Sequence, residues 1–193
     1  PSDHVLGPTW EQIHGLGPVI PAGGPPWWQD RRDELQRIAH ERGSAYVYHR
    51  ASSELAARQL LAIRGVDRIF YAMKANPHPE LLKTFAGLGL SFECVSRGEC
   101  EHVMRVVPGI DPSRILFTPN FAPRSEYEWA LEQGVNLTID NVYALREWGE
   151  LFRDRDVLIR IDTGFGRGHH DHVRTAGVHS KFGVPLFEMD EVE

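Results

Sequence analysis

Between residues 69 and 162 the chain repeats one unit: a short apolar run of strand length, a loop with polar residues, then an amphipathic stretch of helical period. The apolar runs are 69–73, 91–95, 115–118, 137–140 and 157–162. Helices are predicted to start near Pro79, Arg97, Ser125 and Asn141. Leu81, Leu82, Phe85 and Leu88 share one helical face; Cys100, Val103, Met104 and Val107 share the next. Pro79 suits a first helical turn, where its missing N–H would have had no acceptor. Ser96 and Glu99 have capping-box spacing, and Gly134 can end the third helix. Strands alternating with helices mean parallel strands joined by right-handed crossovers. An open doubly wound sheet usually carries a Gly-rich turn after its first strand. Here that strand runs into Lys74-Ala75-Asn76-Pro77, without glycine. Nearly every run also ends on a polar group, Lys74, Ser96, Asn120, Asp140 or Asp162, and a (β/α)8 barrel gathers its chemistry on that rim. The predicted fold class is therefore α/β, an incomplete (β/α)8 TIM barrel. About five of the eight strands are visible, and a full barrel takes about 250 residues. The chain is expected to be part of a longer enzyme, because an open five-stranded piece exposes apolar faces and edges.

The flanks are less regular. Residues 1–29 are dense in Gly and Pro, which forbids a long helix. Trp10, Trp27 and Trp28 nevertheless want a surface to pack on. We read 1–29 as an irregular arm and 30–193 as the N-terminal part of the barrel. Within the latter, Leu35, Ile38 and Ala39 predict a helix that stops at Gly43. Residues 45–48 predict a short strand. A helix capped by Ser52 or Ser53 follows, with Ala56, Leu60 and Ile63 on one face.

Lys plus Arg number 21 against 27 Asp plus Glu, a formal net charge of -6. Such a chain lacks the basic surface that nucleic-acid binding draws on. No apolar run approaches the ~20 residues of a membrane helix, and the N-terminus does not read as a signal peptide. A cytoplasmic location is expected. Cys94 and Cys100 are the only cysteines. Their spacing fits no common zinc or redox motif, and two reduced thiols are expected.

Lys74 closes an apolar strand. A lysine there either uses its charge or loses solvent. On a barrel rim it can form a Schiff base of the kind pyridoxal phosphate enzymes require; a plain surface lysine past a strand end is the alternative. Arg160 lies inside an apolar run, and a buried arginine needs an anion or several acceptors. The stretch His169-His170-Asp171-His172 has metal-ligand residue types but no established metal spacing, so no metal site is expected.

The strings themselves narrow these readings. Tyr71-Ala72-Met73-Lys74-Ala75-Asn76 resembles the Y-A-x-K-A-N motif of pyridoxal phosphate enzymes with the alanine-racemase-like fold. Pro77-His78-Pro79-Glu80-Leu81-Leu82 is similar to the continuation in their decarboxylase branch, whose substrates are diaminopimelate, ornithine or arginine. Phe92-Glu93-Cys94-Val95-Ser96-Arg97-Gly98-Glu99 resembles F-D-x-x-S-x-x-E, with Glu93 in the place of the usual aspartate. Leu158-Ile159-Arg160-Ile161-Asp162-Thr163 resembles the L-R-I strand of that branch. The run from His170 through Ser180-Lys181-Phe182-Gly183 resembles the diaminopimelate decarboxylase pattern H-x-H-x-x-T-G-x-x-x-S-K-F-G, with Ala176 as a mild departure. These strings occur in the family's order and intervals over residues from about 45 to 185.

The resemblance implies that Lys74 is the catalytic lysine, holding pyridoxal 5'-phosphate as an internal aldimine. It further implies that Glu93, Arg160 and Lys181 belong to the cofactor site, Arg160 near the phenolic side. Glu99 resembles a glutamate near the cofactor, although capping explains it equally well. The implied reaction is decarboxylation of meso-diaminopimelate to L-lysine by a homodimeric full-length enzyme. An ornithine- or arginine-type decarboxylase and a non-catalytic, regulatory homologue are the alternatives. The family's phosphate loop, its partner for the pyridine nitrogen and its C-terminal β domain have no counterpart in these residues, so the 193-residue chain alone is expected to be inactive. The N-terminal arm would suit a linker behind a fused aspartate kinase.

Overall fold

A computed structural model of the chain describes residues 26–164 and 181–192. Two compact units are distinguished, one up to His49 and the other from Arg50.

In the first unit, α1 (Trp27–Asp30) is a single turn and α2 (Arg32–Arg42) follows at once. Helix thus begins at Trp27, inside the span expected to be irregular. Gly43 ends α2 with φ 70°, and its N–H is taken by the Ala39 carbonyl at 2.9 Å. The strand expected at 45–48 does not form. Its residue types suit a strand, but a strand needs a ladder partner and the described residues provide none; Tyr46 stands 92% exposed.

The second unit opens with α3 (Arg50–Leu61), which starts before Ser52 and Ser53 and so places both inside its first turn. Its buried contact is Ala57. The face expected to pack, with Leu60 and Ile63, remains exposed. Next come β1 (Phe70–Ala72), a 3-10 turn at Met73–Ala75, α4 (Pro79–Leu88), β2 (Ser91–Cys94), α5 (Arg97–Val106), β3 (Ile115–Phe117), α6 (Arg124–Gln133), β4 (Asn136–Ile139) and α7 (Val142–Phe152). The short strands β5 (Leu158–Ile159), β6 (Ile161–Asp162) and β7 (Val184–Pro185) complete the set.

The helix signals act as their chemistry predicts. Pro79 is the first residue of α4 behind His78, whose Nδ1 accepts the Glu80 N–H at 3.2 Å. Ser96 Oγ accepts the Glu99 N–H at 3.3 Å. The Glu99 carboxylate reaches back to the Val95 N–H at 2.7 Å, one residue before the cap itself. Each such cap stabilises its helix by about 1 kcal/mol. Gly89 and Gly134 close α4 and α6 in the left-handed conformation that glycine adopts without a Cβ clash.

All strand pairings are parallel, in the order β1-β2-β3-β4-β5. That order never reverses, so the sheet lacks the switch point of a doubly wound fold and follows barrel succession. Register places Tyr71, Phe92, Cys94, Ile115, Phe117, Leu137 and Ile139 on one face. The helices cover that face: Tyr71 meets Phe85 at 4.7 Å between ring centroids, and Phe117 meets Trp129 at 6.5 Å. Phe92, Phe117, Leu137 and Leu82 are fully buried, and each such side chain contributes roughly 1.5–3 kcal/mol. The opposite face carries Ala72, Glu93, Leu116 and Thr138, the side a closed barrel turns inward.

The predicted fifth strand divides at Arg160. Its N–H donates to Ile139 O at 2.9 Å, towards β4, and its carbonyl accepts the Val184 N–H at 2.7 Å, towards β7. Within a regular strand the N–H and carbonyl of one residue face the same neighbour, so this split marks the break at which the five-stranded sheet ends and the separate two-stranded parallel sheet β6-β7 begins. None of the described helices is long and apolar enough to cross a membrane.

Candidate functional site

Polar side chains collect where the strands end. Lys74 sits in the 3-10 turn directly after β1. The loop beyond it is tied down: Tyr71 Oη donates to Asn76 O at 3.2 Å, Asn76 Oδ1 accepts the His78 N–H at 3.0 Å, and His102 Nε2 meets Pro77 O at 2.9 Å. Lys74 itself is 61% exposed. Of the two readings of this lysine, one that uses its charge and one that loses solvent, the exposed side chain fits the first.

Glu93 lies on β2 opposite Ala72, so its carboxylate reaches Lys74, two residues past the end of β1. Its Oε2 is 4.0 Å from Lys74 Nζ. Its Oε1 accepts a hydrogen bond from the Thr118 hydroxyl at the end of β3. The one-methylene departure from aspartate thus spans three adjacent strand ends. Glu99, by contrast, is occupied by capping.

Arg160 and Lys181 meet on an aromatic ring. The Arg160 guanidinium lies 4.7 Å and the Lys181 ammonium 5.1 Å from the centre of Phe182. Arg160 is half-buried and not sealed in the core; its cation is steadied by the ring face. The structure thus assembles the four predicted residues as two pairs, Lys74 with Glu93 and Arg160 with Lys181. Between them along the sheet stand Asn120 and Asp140. Asn120 Oδ1 and Asp140 Oδ2 are buried without a hydrogen-bond partner. The residues from His169 to Ser180, including the stretch weighed as a metal site, lie outside the described residues. Among the described residues no cluster of metal-ligating side chains occurs.

Asp140 is 1% exposed. Burial pushes its carboxyl above the ordinary aspartate range, against the pull of the Asn141 amide and the Arg160 charge. The folded chain therefore holds the Asp140 proton more tightly than the unfolded chain does. The resulting stabilisation is full below the ordinary aspartate range and is lost as pH rises through the raised folded value. Asp140→Asn, which cannot ionise, is expected to be more stable than the wild type near neutral pH, with the gap narrowing on acidification. Urea denaturation at about pH 7 and about pH 4 checks this; a variant less stable than wild type at neutral pH contradicts it.

Cys94 and Cys100 are both free and fully buried. Hydrogen bonding with Cys100 and burial raise the Cys94 thiol far above its usual range. The pair is thus packing material and supplies no nucleophile. Thr118, Phe182 and Gly183 were not singled out as site residues from sequence. The strand-end rule could have found Thr118, the polar last residue of the run 115–118.

This set of groups suits a small anionic aromatic aldehyde. It offers a primary amine on an open rim and two cations beside an aromatic ring.

Comparison with known proteins agrees. Residues 49–192 match the sequence profile of the pyridoxal-dependent decarboxylase pyridoxal binding domain. A diaminopimelate decarboxylase from Methanothermobacter thermautotrophicus is 34% identical over 126 residues, 65% of this chain and 29% of that protein. An ornithine decarboxylase from Neurospora crassa is 39% identical over 122 residues, 63% of this chain and 24% of its own length. The chain thus spans about a quarter of the length of these curated relatives. Among solved structures, Helicobacter pylori diaminopimelate decarboxylase complexed with L-lysine superposes with a TM-score of 0.68 at 25% identity. That match covers 82% of this chain and 41% of the other.

Proposed function

This chain belongs to the pyridoxal-dependent decarboxylases, as their pyridoxal-binding domain, and from that membership we propose that the whole protein decarboxylates an amino acid, with meso-diaminopimelate as substrate and L-lysine and carbon dioxide as products. The observation that carries the reading is the placement of Lys74 beside Glu93 on the C-terminal rim of a parallel sheet.

Pyridoxal phosphate, when bound, supplies an electron-accepting ring for the electron pair that a departing carboxylate leaves behind. Lys74 is the residue that holds it: Nζ is a primary amine at a strand end, exposed and reachable by an aldehyde. Glu93 Oε2, 4.0 Å away, orients that nitrogen. Arg160 and Lys181 supply two cations, both held close to the Phe182 ring. Arg160 is assigned to the phenolic side of the cofactor, and Lys181 to its anionic groups. The working form is taken to be a homodimer, as the family resemblance implies.

The segment Ser180-Lys181-Phe182-Gly183 and the diaminopimelate decarboxylase relatives favour diaminopimelate. The higher identity to an ornithine decarboxylase over a shorter stretch makes ornithine the competing substrate. Carbon dioxide release by the full-length protein, compared for diaminopimelate, ornithine and arginine, tests the choice. The expected result is a preference for diaminopimelate of about 10⁴-fold or more in kcat/KM, the scale set when buried polar groups are left unpaired by the wrong substrate. Preference for ornithine would replace the substrate and keep the reaction class; no release from any of the three would remove both.

A further inference from the structure

The two oxygens of Glu93 have different neighbours. Oε2 faces Lys74 Nζ at 4.0 Å, at the long limit of an ion pair. Oε1 accepts the Thr118 hydroxyl. Thr118 is itself fixed, because its N–H donates to Cys94 O at 2.8 Å and its Oγ1 lies 3.3 Å from the same carbonyl. A hydroxyl has one proton to give, and a charged carboxylate is the stronger acceptor. Glutamate also has one more torsion than aspartate, enough freedom for the carboxylate to close on the ammonium. The Thr118 hydroxyl restrains that movement.

We propose that Thr118 is a positioning residue for Lys74, acting through Glu93: it holds the carboxylate back, so that the amine is oriented without being locked into a closed ion pair and stays available as a nucleophile. The proposal rests on the reading of Lys74 as the cofactor lysine, but its test needs no cofactor. The other charged groups placed around the site are Glu99, occupied by the Val95 N–H, Asp140 and Arg160 at the ends of β4 and β5, and Lys181 beside Phe182. Glu93 is the ion-pair partner of Lys74. Closing the pair by about 1 Å strengthens the attraction, yet solvent screens a lysine this exposed, so the effect is a few-fold.

The experiment is trace acylation of the purified protein by acetic anhydride at about pH 8, reading Lys74 against Lys83 by mass spectrometry. In Thr118→Val, acylation of Lys74 is expected to be about threefold slower than in the wild type. The difference should close at strongly alkaline pH, where both amines are uncharged, while Lys83 is unaffected. Thr118→Ser, which keeps the hydroxyl, should match the wild type. Glu93→Gln should make Lys74 react faster whichever residue stands at 118. Equal rates in Thr118→Val and wild type, or a Thr118→Ser as slow as the valine variant, overturn the proposal. Should Thr118→Val fail to fold, Thr118→Ala carries the same expectation, and a Glu93→Gln protein no faster than wild type also overturns it. Borohydride trapping of pyridoxal phosphate on the wild type decides the cofactor role of Lys74 separately, so the two readings fail independently.

Discussion

Lys74→Ala is expected to lose both covalent cofactor attachment and turnover. When the wild-type protein is mixed with pyridoxal phosphate and reduced with borohydride, the label should map to Lys74. In the alanine variant no labelled lysine should replace it at that place in the sequence. Catalysis by the full-length variant should fall by on the order of 10³-fold or more, the scale seen when a covalent group is removed from a site whose members act as a unit. Lys74 is exposed, and its side chain carries no core packing. The variant should therefore unfold at nearly the same urea concentration as the wild type, which separates loss of chemistry from loss of fold. Label scattered over surface lysines in the wild type, or retained turnover in the variant, would remove Lys74 from the reaction.

Gly183→Ala is expected to have the second large effect, this time through the backbone. Gly183 has φ 85°, and a Cβ there would come within 2.8 Å of Asp162 N, 3.1 Å of Ile161 C and 3.2 Å of Arg160 O. All three are main-chain atoms, of β6 and of Arg160 just before it, and cannot swing aside. Left-handed strain and this crowding together cost about 2–4 kcal/mol. The loss should be local, as β7 is released from β6. Hydrogen exchange at the Val184 amide, which donates to Arg160 O at 2.7 Å, should accelerate by about 30-fold or more. Gly87→Ala is the control. Gly87 lies in α4 with nothing within 4 Å of a Cβ, and its replacement should leave Val184 unchanged. Unaltered exchange in Gly183→Ala would mean that the approach to β6 is not what holds β7.

The central repeat was legible because its signals are local. Short apolar runs between helical stretches marked β1 to β4, and caps such as Ser96, Asn141 and Gly134 are chemistry within one turn of the chain. Misread features depend on distant partners. Residues 45–48 have strand-like side chains but no ladder to join. The break at Arg160 and the existence of β7 follow from which strand stands on each side, information absent from a two-residue strand such as Val184–Pro185. The candidate site divides in the same way. Lys74, Glu93, Arg160 and Lys181 could be named from their strings. The pairing of Glu93 with Thr118 requires the register of β2 against β3, and that of Arg160 with Lys181 requires the docking of β7.

The unbroken strand order has a consequence for synthesis. In β1-β2-β3-β4-β5 each strand pairs with the one translated just before it, and register partners lie roughly twenty residues apart in the chain. A nascent chain leaving the ribosome therefore finds its template already made, and the sheet grows at a single advancing edge by short, repeated closures. Unpaired backbone at that edge is brief for every strand but the newest, which limits the interval in which a half-made chain offers a sticky margin to its neighbours on the same message.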